Sequence, residues 1–193
     1  MSAAIRDTAF AAIDFESARL ADRSDAPIQV GIAWMSRGEI EPESFLRSWI
    51  RPPAPVVRLQ ADFTLPAGGL AEAPASAELW PALNSRLAGR TLVGHGSGTE
   101  RRFLRMYPLH GFGPWVDSLL LARAIFPKLA GHSLGELIKW FSLEPELGRF
   151  CPGLAWHDAL YDAVACLLLL RRLLDEARLW DQPADWLERP RLA

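Results

Sequence analysis

The alternation of apolar and polar positions predicts a strand-rich beginning to this chain. Residues 9–16 form an apolar run, and residues 28–34 alternate with the two-residue period of a half-buried strand. A turn signal at 36–39 precedes a third predicted strand through residues 45–50. Three short strands separated by turns predict an antiparallel meander.

The remainder of the chain is predicted to alternate helices and strands. The predicted elements are, in order, a loop over residues 56–76, a helix over 78–87, a buried strand over 91–94, a helix over 100–106 capped by Thr99, a strand or a strand passing into a helix over 116–126, an amphipathic helix over 133–141 and a long helix over 158–179. A meander followed by this alternation predicts an α/β fold with helices on the faces of a mixed sheet.

Length and composition limit the classes of protein that fit. With 193 residues, 50% hydrophobic and 23% charged, the chain suits one well-buried domain, which we assign to residues 1–180, with a loosely packed tail over 181–193. The net charge of −2 offers no global attraction for nucleic acid, so such binding would depend on a local patch. Only two cysteines, no secretory signal and no membrane-spanning run predict a reduced, cytoplasmic protein with no membrane partner.

The apolar run at residues 9–16 carries two carboxylates, Asp14 and Glu16. Side chains two residues apart on a strand point to the same face, so these like charges lie side by side and repel unless a cation sits between them. A set of oxygen ligands suits Mg²⁺ or Mn²⁺. The alternative is a strand end at which both acids reach water, and the pair alone does not decide between the two.

A glycine-rich turn at residues 94–102 follows a predicted buried strand and contains His95 before ending in Arg101 and Arg102. Ligands bind where strands end in α/β sheets, and free N–H groups at such a turn attract anions. Taken alone, a flexible turn with a solvated arginine pair is the simpler interpretation.

The start of the long predicted helix combines a histidine with a carboxylate. Asp162 lies on the side that packs, among small residues, and a buried carboxylate needs a partner. His157 precedes it by five residues; a lone histidine is usually structural, but one beside a metal-seeking carboxylate is a candidate general base. Asp117 is interpreted mainly as a structural residue that caps a helix or binds nearby backbone.

The order of these motifs resembles that of the DnaQ-like 3′→5′ exonucleases of the DEDDh type. The resemblance spans residues 9 to about 175, includes similar segments at 69–74 and 132–134, and depends on three motifs: Asp14-x-Glu16, the turn from His95 to Glu100, and the His-x-Ala-x-x-Asp-Ala stretch of residues 157–163. The four-part order of acids and histidine is more specific than any one part.

The resemblance implies an RNase H-like mixed sheet of five strands flanked by helices. It also implies a metal-dependent 3′→5′ exonuclease that hydrolyses phosphodiester bonds at the 3′ ends of single-stranded DNA or RNA by a two-metal-ion mechanism. Asp14, Glu16 and Asp162 would bind two Mg²⁺ or Mn²⁺ ions, Glu100 would support the second ion through water, and His157 would activate the attacking water.

Substrate contacts and partners also follow from the resemblance as expectations. The residues expected to bind substrate are Phe15, Ser17, His95, Arg101 and Arg102. A DNA polymerase partner or a homodimer is an expectation that the sequence leaves open.

Two motifs depart from the family pattern. The family usually continues Asp-x-Glu with Thr-Thr-Gly, where this chain has Ser17-Ala18-Arg19. The family's His-Asn-Ala-x-Phe-Asp is replaced by residues 95–100, which lack the Asn and the Phe and end in Glu100. The alternative function is therefore a degenerate exonuclease fold kept for nucleic-acid binding or protein interaction, with the eight tryptophans as an aromatic surface. Divalent-ion binding would distinguish the two.

Overall fold

The computed structural model describes residues 3–59, 65–107 and 111–188. Its strands are β1 (Ala9–Leu20), β2 (Asp25–Ser36), β3 (Glu39–Trp49), β4 (Val56–Leu59), β5 (Thr91–Gly94) and β6 (Trp115–Asp117). Its α-helices are α1 (Ser76–Leu87), α2 (Gly98–Leu104), α3 (Ser118–Ile125), α4 (Leu134–Trp140), α5 (Glu144–Phe150) and α6 (Ala159–Glu176). Short 3₁₀ turns lie at Ile5–Asp7, Leu70–Glu72 and Ala184–Glu188.

The long strand β1 is the centre of the sheet. The strand order is β3-β2-β1-β5-β6; β1, β2 and β3 are antiparallel, and β5 and β6 add to the other edge in parallel. Parallel pairing sets Ala12 of β1 opposite Val93 of β5, so β5 ends beside the part of β1 that carries the acidic pair.

A sixth strand departs from the five-stranded prediction. β4 pairs antiparallel with the end of β1, placing Ala18 opposite Leu59 and Arg19 opposite Arg58. The prediction of a loop over 56–76 is therefore wrong at 56–59, because a partner strand rather than the local pattern makes this segment extended. The same pairing carries β1 to Leu20, past its predicted end at residue 16.

The sheet separates two apolar clusters. On one face Phe10 and Ala12 of β1 pack with α6, and on the other Ile13 and Phe15 pack with residues of α1 and α2. Twelve of the 18 residues of α6 are buried, as expected for a helix that is apolar on most sides. Within the described ranges, no helix combines the length and apolar character that crossing a membrane requires.

Several element predictions can be compared directly with the structure. The strand at 91–94 is confirmed, and residues 115–125 form a strand that passes into a helix, as one of the two alternatives predicted. Thr99 does not cap its helix, because α2 begins at Gly98 after Ser97. The helix α5 was not predicted.

The prediction of a loosely packed tail is wrong for residues 181–188. The Ile5 N–H donates to the Gln182 carbonyl at 2.9 Å, and the Ala184 N–H donates to the Ala3 carbonyl at 2.9 Å. Leu187 is buried. These bonds join the segment to the chain's first described residues; the rest of the predicted tail lies outside the described residues, and the domain boundary at residue 180 stays a prediction.

Candidate active site

Strand alternation in β1 places Asp14 and Glu16 on the face that packs against α6. Their neighbours across the hairpin are Gly31, opposite Asp14, and Gln29, opposite Glu16. A β-bulge follows between Glu16 and Ser17 and shifts the register, so that the pairing continues with Ser17 opposite Pro27. The two carboxylates therefore share one face of the strand, as the sequence predicted.

A glycine in β2 lets α6 come unusually close to these carboxylates. A Cβ atom on Gly31 would overlap the carbonyl group of Ala159, the first residue of α6. Because Gly31 is directly opposite Asp14, the backbone of α6 begins against the sheet beside the acidic pair. This contact brings Asp162, in the first turn of α6, into the same site.

Three side chains converge closely enough to share a cation. One ligand atom from each of Glu16, His157 and Asp162 lies within 4.8 Å of the others. His157 is exposed and has a left-handed backbone with φ of 70°, which is uncommon for a non-glycine residue and turns the chain sharply before α6. Its N–H donates to Oδ2 of Asp162 at 3.3 Å.

The other carboxylate oxygen of Asp162 is an unsatisfied acceptor. Oδ1 is buried and has no hydrogen-bond partner among the described residues. Leaving a buried acceptor unpaired costs about 1–3 kcal/mol, and more for a charged group. A carboxylate oxygen in this state, facing other acids, fits a site built for a cation, so the donor set agrees with the predicted metal.

The pKa values of four carboxylates rise together in this region. Burial, followed by repulsion from neighbouring acids, raises the pKa of Asp14 well above its usual range and that of Glu16 to about 8. Burial raises the pKa of Asp162 to about 7, with a further contribution from Asp158, although the His157 N–H opposes it. Burial also raises the pKa of Glu100 to about 7. Without a cation these acids retain protons near neutral pH.

Glu100 reaches the site from the first turn of α2. It is 6% exposed, and its charge contributes to the raised pKa values of Asp14 and Glu16. The turn before α2 is held by Asp117, whose carboxylate accepts the N–H groups of Gly96 and Ser97, both at 3.0 Å. Asp117 also caps α3, which confirms its structural interpretation.

Two of the predicted substrate-binding side chains make their contacts within the fold. His95 donates from Nε2 to the carbonyl of His132 at 2.8 Å, and its Nδ1 lies 2.9 Å from Oγ of Ser118. The Phe15 side chain is 5% exposed and packs edge-on against Phe103, on the face opposite the carboxylates. The structure brings neither of these side chains to the acidic cluster.

The other three predicted substrate contacts lie nearer the surface. Ser17 follows Glu16 directly and is partly buried. Arg101 lies over the ring of Trp115, with its guanidinium carbon 4.9 Å from the ring centre, while the Arg102 guanidinium is 3.8 Å from the Asp25 carboxylate. Both arginines are exposed.

A set of polar residues that was not predicted from the sequence holds the start of α6. Asp158 caps the helix and receives the guanidinium of Arg47 and the amide of Gln29. An aspartate before an apolar helix is a recognisable cap signal. The contributions of Arg47 and Gln29 carried no such signal, because they depend on contacts between distant parts of the chain.

Comparisons with known sequences give partial matches. No protein-family model matches the chain. Over 109 residues, 54% of the chain, it is 34% identical to a DNA polymerase III subunit epsilon-like protein of Rhodobacter capsulatus, covering 15% of that protein. Over 145 residues, 72% of the chain, it is 27% identical to a PolC-type DNA polymerase III of Thermotoga maritima, covering 10% of it. The chain spans 10–15% of the length of the curated relatives that it matches.

Solved structures show the same fold over most of the chain. Exonuclease X, in complex with 5′ overhanging duplex DNA, matches with a TM-score of 0.70 and 22% identity over 91% of this chain and 98% of that one. The nuclease domain of 3′hExo, a DEDDh family member bound to rAMP, matches with a TM-score of 0.67 and 14% identity over 88% and 93%. The predicted RNase H-like fold and the resemblance to DnaQ-like DEDDh exonucleases are confirmed.

Proposed function

We propose that this chain is a metal-dependent 3′→5′ exonuclease that hydrolyses phosphodiester bonds at the 3′ ends of single-stranded DNA or RNA. The observation that carries the proposal is the convergence of ligand atoms from Glu16, His157 and Asp162, in a site where Oδ1 of Asp162 is buried without a hydrogen-bond partner among the described residues. The likeness to solved nucleases and to polymerase III proteins supports it.

Mg²⁺ or Mn²⁺ is the cofactor that this donor set fits. Asp14, Glu16 and Asp162 would hold two ions, and Glu100 would support the second through water; carboxylate oxygens are the ligands that these hard cations prefer. When bound, a pair of such ions supplies Lewis-acid stabilisation of the attacking and leaving oxygens of a phosphodiester.

His157 is the proposed general base. It is the exposed member of the cluster, so its imidazole can accept a proton from a water on the solvent side. The hydrogen bond from its N–H to Asp162 and its left-handed backbone fix where the ring begins. The exposed guanidinium groups of Arg101 and Arg102 would contact phosphates of the substrate without reading its sequence.

A shortening assay tests the proposal directly. Single-stranded DNA and RNA labelled at the 5′ end are incubated with the protein and Mn²⁺, Mg²⁺ or a chelator. We expect a ladder of products shortened one nucleotide at a time from the 3′ end, only with a cation, and none from an Asp14→Asn variant. The contrary outcome is that neither polymer is shortened with Mn²⁺ although the wild-type protein still retains the labelled polymer on a filter. In that case the chain is a nucleic-acid-binding module and not an exonuclease.

Protein partners form a separate part of the proposal. The sequence relatives are DNA polymerase III proteins, so a DNA polymerase is the partner that we propose to test by co-purification. A homodimer and the cytoplasmic location stay predictions, which light scattering and cell fractionation would check.

A further inference from the structure

The residues beside the acidic pair form a row across three strands. Asp14 of β1 is opposite Gly31 of β2, and Gly31 is opposite Arg47 of β3. In the same way Glu16 is opposite Gln29. Residues directly opposite one another share a face of the sheet, so Arg47 and Gln29 lie on the carboxylate side, next to the point where α6 begins.

The start of α6 is bonded to this row through Asp158. One carboxylate oxygen of Asp158 accepts Nε of Arg47 at 2.6 Å and lies 2.6 Å from its Nη2. The same oxygen accepts Nε2 of Gln29 at 3.3 Å. The other oxygen caps the helix by accepting the Leu160 N–H at 3.2 Å. Asp158 therefore joins the sheet to the first turn of α6 with both oxygens.

Gln29 closes a second connection to the same turn. Its Oε1 accepts the Ala159 N–H at 2.8 Å, and Gln29 is 2% exposed. The first N–H groups of a helix have no partner within the helix, so this bond and the cap satisfy two of them from the sheet and the preceding residue. The two amides belong to Ala159 and Leu160, which lie between His157 and Asp162 in the sequence.

We propose that Arg47, Gln29 and Asp158, which we name the α6 clasp, are positioning residues that set the distance of His157 and Asp162 from Asp14 and Glu16. Asp158, the clasp residue at the helix start, follows His157 by one residue and precedes Asp162 by four. Gly31 leaves the space that lets the helix pack closely against the sheet. The catalytic part of this inference rests on the proposed function.

Electrostatics alone would give Arg47 a different role, and the two roles predict opposite results. Arg47 is a cation close to an acidic site, so its removal should tighten the binding of a divalent ion if charge were its only contribution. If the clasp positions ligands, removal of Arg47 should weaken that binding, because Asp162 is no longer held at its place.

The chain offers a matched control at the other part of the same helix. Arg171 of α6 pairs with Glu146 of α5 at 2.6 Å, and its side chain is 22% exposed, against 40% for Arg47. Arg171→Gln removes the same charge and an equally short ion pair that also anchors α6. Arg171 lies two turns or more along α6 from Asp162, so its loss leaves the helix start untouched.

The experiment measures three quantities in Arg47→Gln and Arg171→Gln: Mn²⁺ affinity by calorimetry, kcat and KM on single-stranded DNA, and amide hydrogen exchange along α6. For Arg47→Gln we expect Mn²⁺ affinity and kcat to fall by about tenfold, the lower end of the cost of losing an outer partner of a metal ligand, because Arg47 acts through Asp158. KM should change little. Exchange at Ala159 and Leu160 should be roughly tenfold faster, the scale of a lost cap.

Two further variants make the clasp falsifiable. Arg47→Lys keeps the charge but not the paired nitrogens, so it should restore only part of the affinity. Asp158→Asn combined with Arg47→Gln should cost less than the sum of the two single variants, because both remove the Arg47–Asp158 contact. Tighter Mn²⁺ binding in Arg47→Gln, or equal effects in Arg171→Gln, would overturn the clasp.

The readouts separate failure of the clasp from failure of the proposed function. If wild-type protein hydrolyses neither polymer, the exonuclease proposal fails, while exchange at Ala159 and Leu160 still judges the clasp. Unchanged exchange there in Arg47→Gln overturns the clasp whatever the activity of the wild-type protein.

Discussion

Two segments bring acidic side chains to one cluster, and they are held in different ways. The start of α6 is bonded to β2 and β3, and the helix continues for 18 residues through the core. α2 has seven residues, its N-cap Ser97 makes no side-chain cap bond, and the turn before it is held by Asp117 of a neighbouring strand. The start of α6 carries the histidine–aspartate motif that resembles the family, and the turn before α2 and its first residues carry the departures at residues 96–100.

Glu100 stands where the family has aspartate, yet its carboxylate reaches the same site as that of Asp162. A glutamate places its carboxylate about one bond length further from the backbone than an aspartate does. Glu100 is nevertheless buried, and its pKa is raised to about 7, as is that of Asp162. Both segments therefore deliver carboxylates to the same low-dielectric site, although α6 is bonded to the sheet at its own first turn and α2 only through the turn that precedes it.

Replacing His157 should have the largest effect on rate. We expect His157→Ala to slow hydrolysis by about 10²–10⁴-fold, the usual range for loss of a general base, because no other imidazole lies in the described cluster. Single-turnover kinetics measures the loss, and calorimetry should show Mn²⁺ still bound. An equal loss of Mn²⁺ affinity would make His157 a ligand instead.

Addition of Mn²⁺ should stabilise the protein. How much of this stabilisation is lost in variants of α6 and α2 should show which segment contributes more to cation binding. A ligand at a hundredfold excess over Kd that binds only the native state adds about 2.7 kcal/mol, or roughly 5–10 °C in melting temperature for a chain of this size. We expect Asp162→Asn to lose most of this shift and Glu100→Gln to lose less, as measured by calorimetric melting. A wild-type curve that millimolar Mn²⁺ leaves unmoved would contradict the metal site.

Glu100 should contribute less to the rate than His157 does. We expect Glu100→Ala to cost at least about tenfold, the lower end for an outer partner of a metal. Glu100→Asp should keep most of the activity, because contact through water tolerates the shorter side chain. Steady-state kinetics with a parallel melting curve distinguishes this from a helix-start role, in which Glu100→Ala would lose stability but not activity.

Local patterns predicted the acidic pair and the histidine–aspartate motif, whereas contacts between distant segments could not be predicted. The period of two in β1 placed Asp14 and Glu16 on one face, and the short interval from His157 to Asp162 is local. The Arg47–Asp158 contact joins residues 111 apart. His95 was assigned from its motif, but its ring is bonded to Ser118 of α3 and to the carbonyl of His132, which lie 23 and 37 residues away and which no local pattern contains.

The effect of pH on the cation-free protein should be the smallest of the four. A carboxyl whose pKa is higher in the folded than in the unfolded state makes folding bind protons, so stability falls as pH rises between the two values. For Glu16 these values are about 4.5 and about 8, and for Asp162 and Glu100 the upper value is about 7. With chelator present, stability should therefore decrease from pH 5 to pH 8.

We expect that decrease to be at least about 1 kcal/mol, since one unit of pKa corresponds to 1.36 kcal/mol, or roughly 2–4 °C in melting temperature. Glu16→Gln removes the group whose pKa is raised to about 8, so its profile should be flatter, most clearly above pH 7. Glu100→Gln should flatten the profile mainly below pH 7. Saturating Mn²⁺ should reverse the slope, because the cation competes with protons for the same oxygens. A cation-free protein that gains stability from pH 5 to pH 8 would show that the two segments do not share one acidic cluster.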